Sequence, residues 1–335
     1  MQTDPSLYKA MQAACAEARK WLGASSPNPP VGAAALDAKG NILAVAAHQK
    51  AGEPHAEAAL LQICKERNWL AQVHTLCVTL EPCNHQGRTP PCTEAIIASG
   101  IKYVAIGTRD PNPNVKGGGA EYLRQAGLDV AVGIDEEECR QLIAPFAYSV
   151  RNGRPWITIK RAFDESGSMI PPLGQKTFTS NESLLLAHLL RKKADAILTG
   201  SGTILADSPL FTVRHAPDFT GKRRWLGILD QRGRVPDGYL ELAAANGLDA
   251  VIYSDIKDAL TDLTNKGVQD LLVEAGPALS QVILDSQPWA MSVIITHSGS
   301  DRIDVDFNPR ETMPFSTAKF RWDYFLPDQT AAQTA

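Results

Sequence analysis

Apolar residues recur at helical spacing over residues 5–22, behind the cap-then-proline pair Asp4-Pro5 and ahead of Gly23, which predicts an opening helix. Two short apolar runs, 31–36 and 42–47, flank the polar turn Asp37-Ala38-Lys39-Gly40 and predict a β-hairpin. A helix is predicted from near His55 to about Arg67. The unbroken apolar run 75–80 then predicts a buried strand ending at Glu81-Pro82-Cys83. From Pro91 a short helix carries Cys92 to Ser99 and stops at Gly100. A strand over 102–107, a helix over 118–126 and a strand over 128–132 complete the pattern. Helices alternating with strands make this half an α/β layer domain.

Residues 135–141 begin a connector, and Arg151-Asn152-Gly153-Arg154-Pro155 reads as a boundary turn, dividing the chain into domains 1–150 and 151–335. A second α/β pattern follows: strand 156–160, helix 183–193, then strands at 195–198, 225–229, 250–253, 271–274 and 292–296. The tail after Pro327 is small and polar and reads as frayed.

A length of 335 residues suits two domains of ordinary size, and 44% hydrophobic with 21% charged residues describes a soluble globular chain. A net charge of −4 argues against a nucleic-acid partner, and no apolar run approaches the ~20 residues of a membrane span. The opening Met1-Gln2-Thr3-Asp4-Pro5 has neither the basic nor the apolar part of a secretory signal. Of the six cysteines, Cys15, Cys64, Cys77 and Cys139 sit singly in apolar-periodic segments, as buried free thiols do. A cytoplasmic location and a homodimer are expected.

The remaining two cysteines carry chemistry. His55-Ala56-Glu57, Glu81-Pro82-Cys83 and Cys92 form the H-x-E…P-C…C pattern of zinc-dependent deaminases of amino-substituted rings, here with eight residues between the cysteines instead of two. One imidazole and two thiolates are three zinc ligands, leaving the fourth tetrahedral position open, and mixed sulfur–nitrogen ligation favours zinc. Glu57 stands on the same first helical turn as His55, placed to carry protons between water, ring nitrogen and leaving amine. His85, inside the loop between the cysteines, is either a fourth ligand that closes the site or, as preferred, a substrate contact. Glu81 either orients the loop or serves as a second catalytic carboxylate.

Four segments in order make the match specific: Pro27-Asn28-Pro29-Pro30-Val31-Gly32, Ala51-Gly52-Glu53-Pro54-His55-Ala56-Glu57, the run from Thr79 to Cys92, and Asp110-Pro111-Asn112-Pro113. Together they resemble the bifunctional riboflavin-biosynthesis deaminase/reductase family, whose mark is the long gap between the cysteines. The resemblance implies a cytidine-deaminase-like three-layer domain followed by a dihydrofolate-reductase-like α/β domain. It implies zinc held by His55, Cys83 and Cys92, with Glu57 as proton donor. The substrate would be a small phosphorylated pyrimidine, 2,5-diamino-6-ribosylamino-4(3H)-pyrimidinone 5′-phosphate. Asn28 and His48 would touch its ring or ribose, while Arg88 and the segment 112–119, with Asn112 and Lys116, would hold its phosphate.

In the second half the resemblance implies NADPH-dependent reduction of the ribose side chain. Lys160, the run 194–209 with Thr199, Gly200, Thr203 and Asp207, Arg214 after Thr212-Val213, and Val273-Glu274-Ala275-Gly276-Pro277 match the family's cofactor and substrate segments. A glycine turn opening a helix at Gly276-Pro277 offers backbone donors to a pyrophosphate. Other landmarks depart from the family. Ala162-Phe163-Asp164-Glu165-Ser166-Gly167 replaces a Ser-Leu-Asp-Gly stretch, and Leu184-Leu185-Leu186 fills the place of a phosphate-binding arginine, for which Lys176 is a partial substitute. Three readings of this half stay open: an active reductase, a degenerate domain serving dimerisation or support, and a domain with altered substrate or cofactor. For the whole chain the rivals are a deaminase of nucleosides or tRNA, and a non-catalytic zinc-stabilised scaffold.

Overall fold

A computed structural model describes residues 4–85, 90–112, 118–171 and 177–320. The chain divides into two compact units, Met1–Arg151 and Asn152–Ala335, each taken here by itself.

In the first unit the chain runs α1 (Pro5–Arg19), β1 (Gly32–Leu36), β2 (Ile42–Ala47), α2 (Ala56–Glu66), β3 (Thr75–Leu80), α3 (Cys92–Ser99), β4 (Tyr103–Thr108), α4 (Gly119–Gln125), β5 (Asp129–Val132), α5 (Glu136–Leu142) and α6 (Ala144–Asn152). The sheet order is β2-β1-β3-β4-β5, with β1 antiparallel to both neighbours and β3, β4 and β5 parallel. Both faces are covered, which is why β1 and β3 are buried along their whole length. On one face Leu7, Met11, Ala14 and Cys15 of α1 pack with Cys139 and Leu142 of α5 against Ala34, Leu36, Cys77 and Ala105. On the other, Leu60, Ile96 and Leu123 from α2, α3 and α4 pack against Ala33, Ala35, Leu76, Val78 and Ile106. The result is the expected three-layer domain.

Two local expectations are corrected here. The opening helix ends at Arg19, because Trp21, Leu22 and Ala24 donate to carbonyls three residues back and wind the chain into tight turns. The segment read as a connector from residue 135 is the helix α5, followed at once by α6, and its apolar side (Cys139, Leu142, Ile143, Ala147) closes the α1 face of the core.

The second unit runs β6 (Trp156–Phe163), α7 (Asn181–Lys193), β7 (Ala196–Gly200), α8 (Ser201–Asp207), β8 (Arg224–Leu229), α9 (Tyr239–Ala245), β9 (Leu248–Tyr253), α10 (Ile256–Asn265), β10 (Asp270–Val273), α11 (Pro277–Ser286), β11 (Met291–Ser298) and β12 (Ser300–Phe307). Its sheet order is β12-β11-β6-β10-β7-β8-β9, parallel except for β12, which pairs antiparallel with β11 in a hairpin that sequence reading missed. The order reverses between β10 and β7. From β7 the chain leaves through α8 to β8 on one side, and from β10 through α11 to β11 on the other. Such a reversal leaves a crevice at the carboxyl ends of the two strands, the usual ligand site of an open α/β sheet.

Candidate active site

In the first unit three elements deliver three ligands. His55 is the N-cap of α2, Cys83 follows the end of β3, and Cys92 opens α3 behind Pro91. Their ligand atoms lie within 4.8 Å of one another. His55 Nδ1 stands 3.6 Å from Cys83 Sγ and 3.4 Å from Cys92 Sγ. A tetrahedral zinc with bonds of about 2.3 Å to sulfur and about 2.05 Å to nitrogen spaces those atoms about 3.6 Å apart, so the triangle fits that ion. His85 is exposed and is not part of the group.

The electrostatics suit anionic sulfur. The Cys92 backbone N–H donates to Cys83 Sγ at 3.3 Å, and the first turn of α3 adds its positive end. With the Cys92 thiol donating to it and His55 beside it, Cys83 is lowered to about 4, while Cys92 is raised in turn. The hydrogen bond with Cys83 raises His55. Glu57, on the first turn of α2 and 3% exposed, is pushed up by burial to about 7. A carboxyl poised near neutrality both takes and gives a proton readily.

His48 stands edge-on to His55 with ring centroids 5.3 Å apart. Its Nδ1 lies 3.0 Å from Pro54 O, which makes that nitrogen the donor and leaves Nε2 to accept from Asn28 Nδ2 at 3.1 Å. Burial lowers the His48 pKa, consistent with the neutral ring. Asn28 and His48 are thus brought to the zinc ligands as one hydrogen-bonded pair. The Asn112 N–H is held by Asp110 Oδ1 at 2.9 Å. Arg88, Lys116 and Lys176 lie outside the described residues.

In the second unit, strand register assembles what the sequence scatters. Val273 of β10 pairs with Ile159 of β6 and with Leu198 of β7. One position on, Lys160, Glu274 and Thr199 therefore stand in a row across three strands at the crevice. Lys160 Nζ is 4.0 Å from Glu274 Oε2. Arg191 of α7, which sequence reasoning passed over, grips Glu274 through Nε and Nη2 at 2.6 and 2.7 Å and donates to Thr212 O at 3.2 Å. Its place in the basic last turn of α7 was the only signal. Burial would raise Glu274, but Arg191 overrides it and holds the carboxyl at about 2, while burial lowers Lys160. Thr199 Oγ1 is buried without a hydrogen-bond partner among the described residues.

Gly200 caps α8, Gly276 caps α11 ahead of Pro277, and neither cap carries a side-chain hydrogen bond. The Gly276 N–H donates to Thr203 Oγ1 at 3.1 Å, joining the two helix starts across the crevice. A Cβ on Gly202 would meet nothing within 4 Å, so the backbone there is open to a ligand. Two glycine-capped helix starts, open backbone at Gly202 and a strand-order reversal fit a dinucleotide. Asp207 lies exposed at the far end of α8, and Arg214, also exposed, gives its backbone N–H to His188 Nδ1 at 2.9 Å; no described hydrogen bond ties either side chain to the row.

Comparison with known proteins decides the family. Residues 5–108 match the cytidine and deoxycytidylate deaminase zinc-binding region, and residues 167–287 match the RibD C-terminal domain. The riboflavin biosynthesis protein RibD of Aquifex aeolicus is 43% identical over 265 residues, 79% of this chain and 73% of that protein. That of Corynebacterium ammoniagenes is 34% identical, covering 82% of this chain and 81% of that one. This chain belongs to the RibD family. Among solved structures, a diaminohydroxyphosphoribosylaminopyrimidine deaminase/5-amino-6-(5-phosphoribosylamino)uracil reductase from Thermotoga maritima superposes with a TM-score of 0.77 at 31% identity, covering 88% of this chain and 89% of that one. Acinetobacter baumannii RibD gives a TM-score of 0.73 at 28% identity, covering 87% and 86%. This chain carries both matched parts in sequence order, the deaminase zinc-binding region first and the RibD C-terminal domain second. Among the described residues, no helix is long and apolar enough to cross a membrane.

Proposed function

We infer that this chain catalyses two steps of riboflavin biosynthesis. The first unit hydrolytically deaminates 2,5-diamino-6-ribosylamino-4(3H)-pyrimidinone 5′-phosphate, and the second reduces the ribosyl side chain of the product with NADPH. The observation that carries the reading is the zinc-sized triangle of His55, Cys83 and Cys92 with buried Glu57 on the adjoining turn.

Zinc, when bound, supplies the Lewis acidity that makes water a nucleophile near neutral pH. The chain supplies the rest. His55, Cys83 and Cys92 occupy one side of the site. Glu57 takes one proton of the attacking water and delivers it to the ring nitrogen, then takes the second from the hydroxyl now on the ring carbon and gives it to the departing amine, which leaves as ammonia. Asn28, its amide nitrogen committed to His48, presents its carbonyl oxygen to the ring's N–H groups. Arg88, Asn112 and Lys116 are proposed for the substrate phosphate, with His85 as a further substrate contact.

In the reductase unit, the Gly276 and Gly200 turns would hold the dinucleotide phosphates of NADPH, which when bound would supply the hydride for the imine carbon. Lys160 and Glu274 bind and orient the sugar hydroxyls in the row beside it, Thr199 offers its hydroxyl, and Asp207 and Arg214 are proposed for the outer parts of the ligands. A reducing, cytoplasmic setting is proposed with this reading, in keeping with Cys15, Cys64, Cys77 and Cys139 as buried thiols outside the metal site. The homodimer is tested by light scattering, where a monomer mass would remove it.

The deciding experiment feeds the phosphorylated diaminopyrimidine to the zinc-loaded protein, following ammonia and NADPH absorbance together. Both signals are expected. Ammonia without NADPH oxidation would leave a deaminase with a degenerate second unit. Ammonia from cytidine, adenosine or tRNA instead would overturn the substrate assignment.

A further inference from the structure

Glu81 is a buried carboxylate that the proton path does not use. It follows β3, precedes Pro82-Cys83, and is 9% exposed. Both of its oxygens are engaged by backbone amides of another segment. Oε1 accepts from the Ala120 N–H at 2.9 Å and Oε2 from the Asp110 N–H at 3.2 Å. Arg109 Nη1 lies 3.6 Å from Oε1 and balances the charge, while the same guanidinium forks onto Glu121 at 3.0 and 2.8 Å. The Glu81 N–H itself donates to Thr108 O at 2.9 Å.

The partners explain why a carboxylate stands here. α4 begins without a cap of its own, since Gly118 at its N-cap has no side chain to offer. Glu81 supplies that acceptor from 39 residues away. Pro82 then presses its carbonyl oxygen against the α-carbon of Gly119, where any Cβ would collide with it. Two consecutive residues thus grip the first turn of α4, and the next residue is the metal ligand Cys83. On the other side Asp110, held by Glu81, uses its own carboxylate to fix Asn112. Thr93, the residue after Cys92, donates its N–H to Cys83 O at 3.3 Å, and its methyl lies 3.4 Å from where a Cβ on Gly119 would stand, so the start of α4 abuts the turn that carries the metal ligands.

We propose that Glu81 is a positioning residue of the deaminase: its carboxylate fastens the wall that carries Asp110 and Asn112 to the strand end that delivers Cys83, and so sets the fit of the substrate against the metal. Two diverging amide donors require two acceptor oxygens. A glutamine has one, and must turn its NH₂ toward the other amide. The inference rests on the deaminase reading of the site.

The test uses the full-length zinc-loaded protein and its Glu81→Gln, Glu81→Asp and Gly119→Ala variants. Zinc content, amide hydrogen exchange, and KM and kcat for ammonia release are measured on each. Glu81→Gln is expected to keep its zinc and the exchange rate of the Leu60 amide in α2. Its Asp110 and Ala120 amides should exchange about tenfold faster or more, with KM rising by a similar factor and kcat little changed. Glu81→Asp, with two acceptors on a shorter arm, should fall between. Gly119→Ala should raise KM in the same way, with every proton-transfer group intact. A kcat loss beyond about a hundredfold at unchanged KM would make Glu81 part of the proton path and overturn the proposal. Unchanged exchange at Asp110 and Ala120, or loss of zinc, would also overturn it. A wild-type protein that releases no ammonia would sink the deaminase reading, while the exchange measurements would still decide whether Glu81 is the anchor.

Discussion

Replacing Arg191 by methionine should reverse the acid side of the stability profile of the C-terminal unit. Glu274 is buried at the carboxyl end of β10, where desolvation alone would raise its pKa. The guanidinium of Arg191, forked onto it at 2.6 and 2.7 Å, holds it instead at about 2, against an ordinary 4.5. A carboxyl whose folded value lies below its unfolded value adds stability that is fully present above pH 4.5 and is lost as pH falls toward 2. At about 1.36 kcal/mol per pH unit, the contribution is about 3 kcal/mol.

Without Arg191, Lys160, at 4.0 Å, and to a smaller extent His188 are left to oppose burial, and the Glu274 carboxyl is expected to move above 4.5. The native state then binds more protons than the unfolded chain through that range, so stability falls as pH rises. At neutral pH the cost should be about 3–5 kcal/mol, the usual cost of orphaning one partner of a buried pair. Removing both charges, in Arg191→Met with Glu274→Gln, should recover part of it. Because the chain has two units, the measurement is native-state hydrogen exchange at the β10 and β7 amides from pH 3 to 7, corrected for intrinsic rates. A variant profile parallel to wild type, or a neutral-pH loss below about 1 kcal/mol, would refute the reasoning.

Glu57→Gln should retain zinc and the wild-type circular dichroism yet lose ammonia release by about 10²–10⁴-fold or more, read in a coupled ammonia assay. Stripping zinc with a chelator should abolish ammonia release and lower the melting temperature of the first unit, and added zinc should restore both. Gly107→Ala would drive a Cβ into Cys139 Sγ and the carbonyl of Thr79, at an expected cost of about 1–3 kcal/mol by urea unfolding. Titrating the protein with NADPH should shift nucleotide fluorescence and saturate, and no response at millimolar NADPH would leave the second unit a structural companion.

The zinc centre was legible because its parts are local. His55 and Glu57 lie on one helical turn, and each cysteine stands at a strand or helix end that the apolar periods already mark. What was missed had a masked period. Residues 135–138 (Asp-Glu-Glu-Glu) read as a polar linker, yet Cys139, Leu142, Ile143 and Ala147 repeat at helical spacing and close a core. In β12 the alternation of Ile303, Val305 and Phe307 with Arg302, Asp304 and Asp306 is a half-buried strand, but its charges break up every apolar run and no strand was expected after residue 296. Past Arg19, Trp21 and Leu22 keep the apolar rhythm, although the backbone has tightened into turns.

The reductase row is different in kind. Lys160, Thr199 and Glu274 are separated by 39 and 75 residues, and they meet only because β10 inserts between β6 and β7 with Val273 opposite both Ile159 and Leu198. No period within any one segment encodes that insertion; the resemblance supplied the residues, and only the register explains them. Arg191 shows the consequence. Within α7 it is one cation in the basic run Arg191-Lys192-Lys193, as a solvated helix end would carry. Its neighbours divide at once: Lys193 pairs with buried Asp270 at the amino end of β10, while Arg191 spans to Glu274 past the carboxyl end of that strand. Two residues of the last turn of one helix thus clamp both ends of the strand whose insertion builds the row. Of the departures of this half from the family, Leu184-Leu185-Leu186 falls earlier on that helix and Ala162–Gly167 lies at and past the end of β6; both leave the clamp and the row in place.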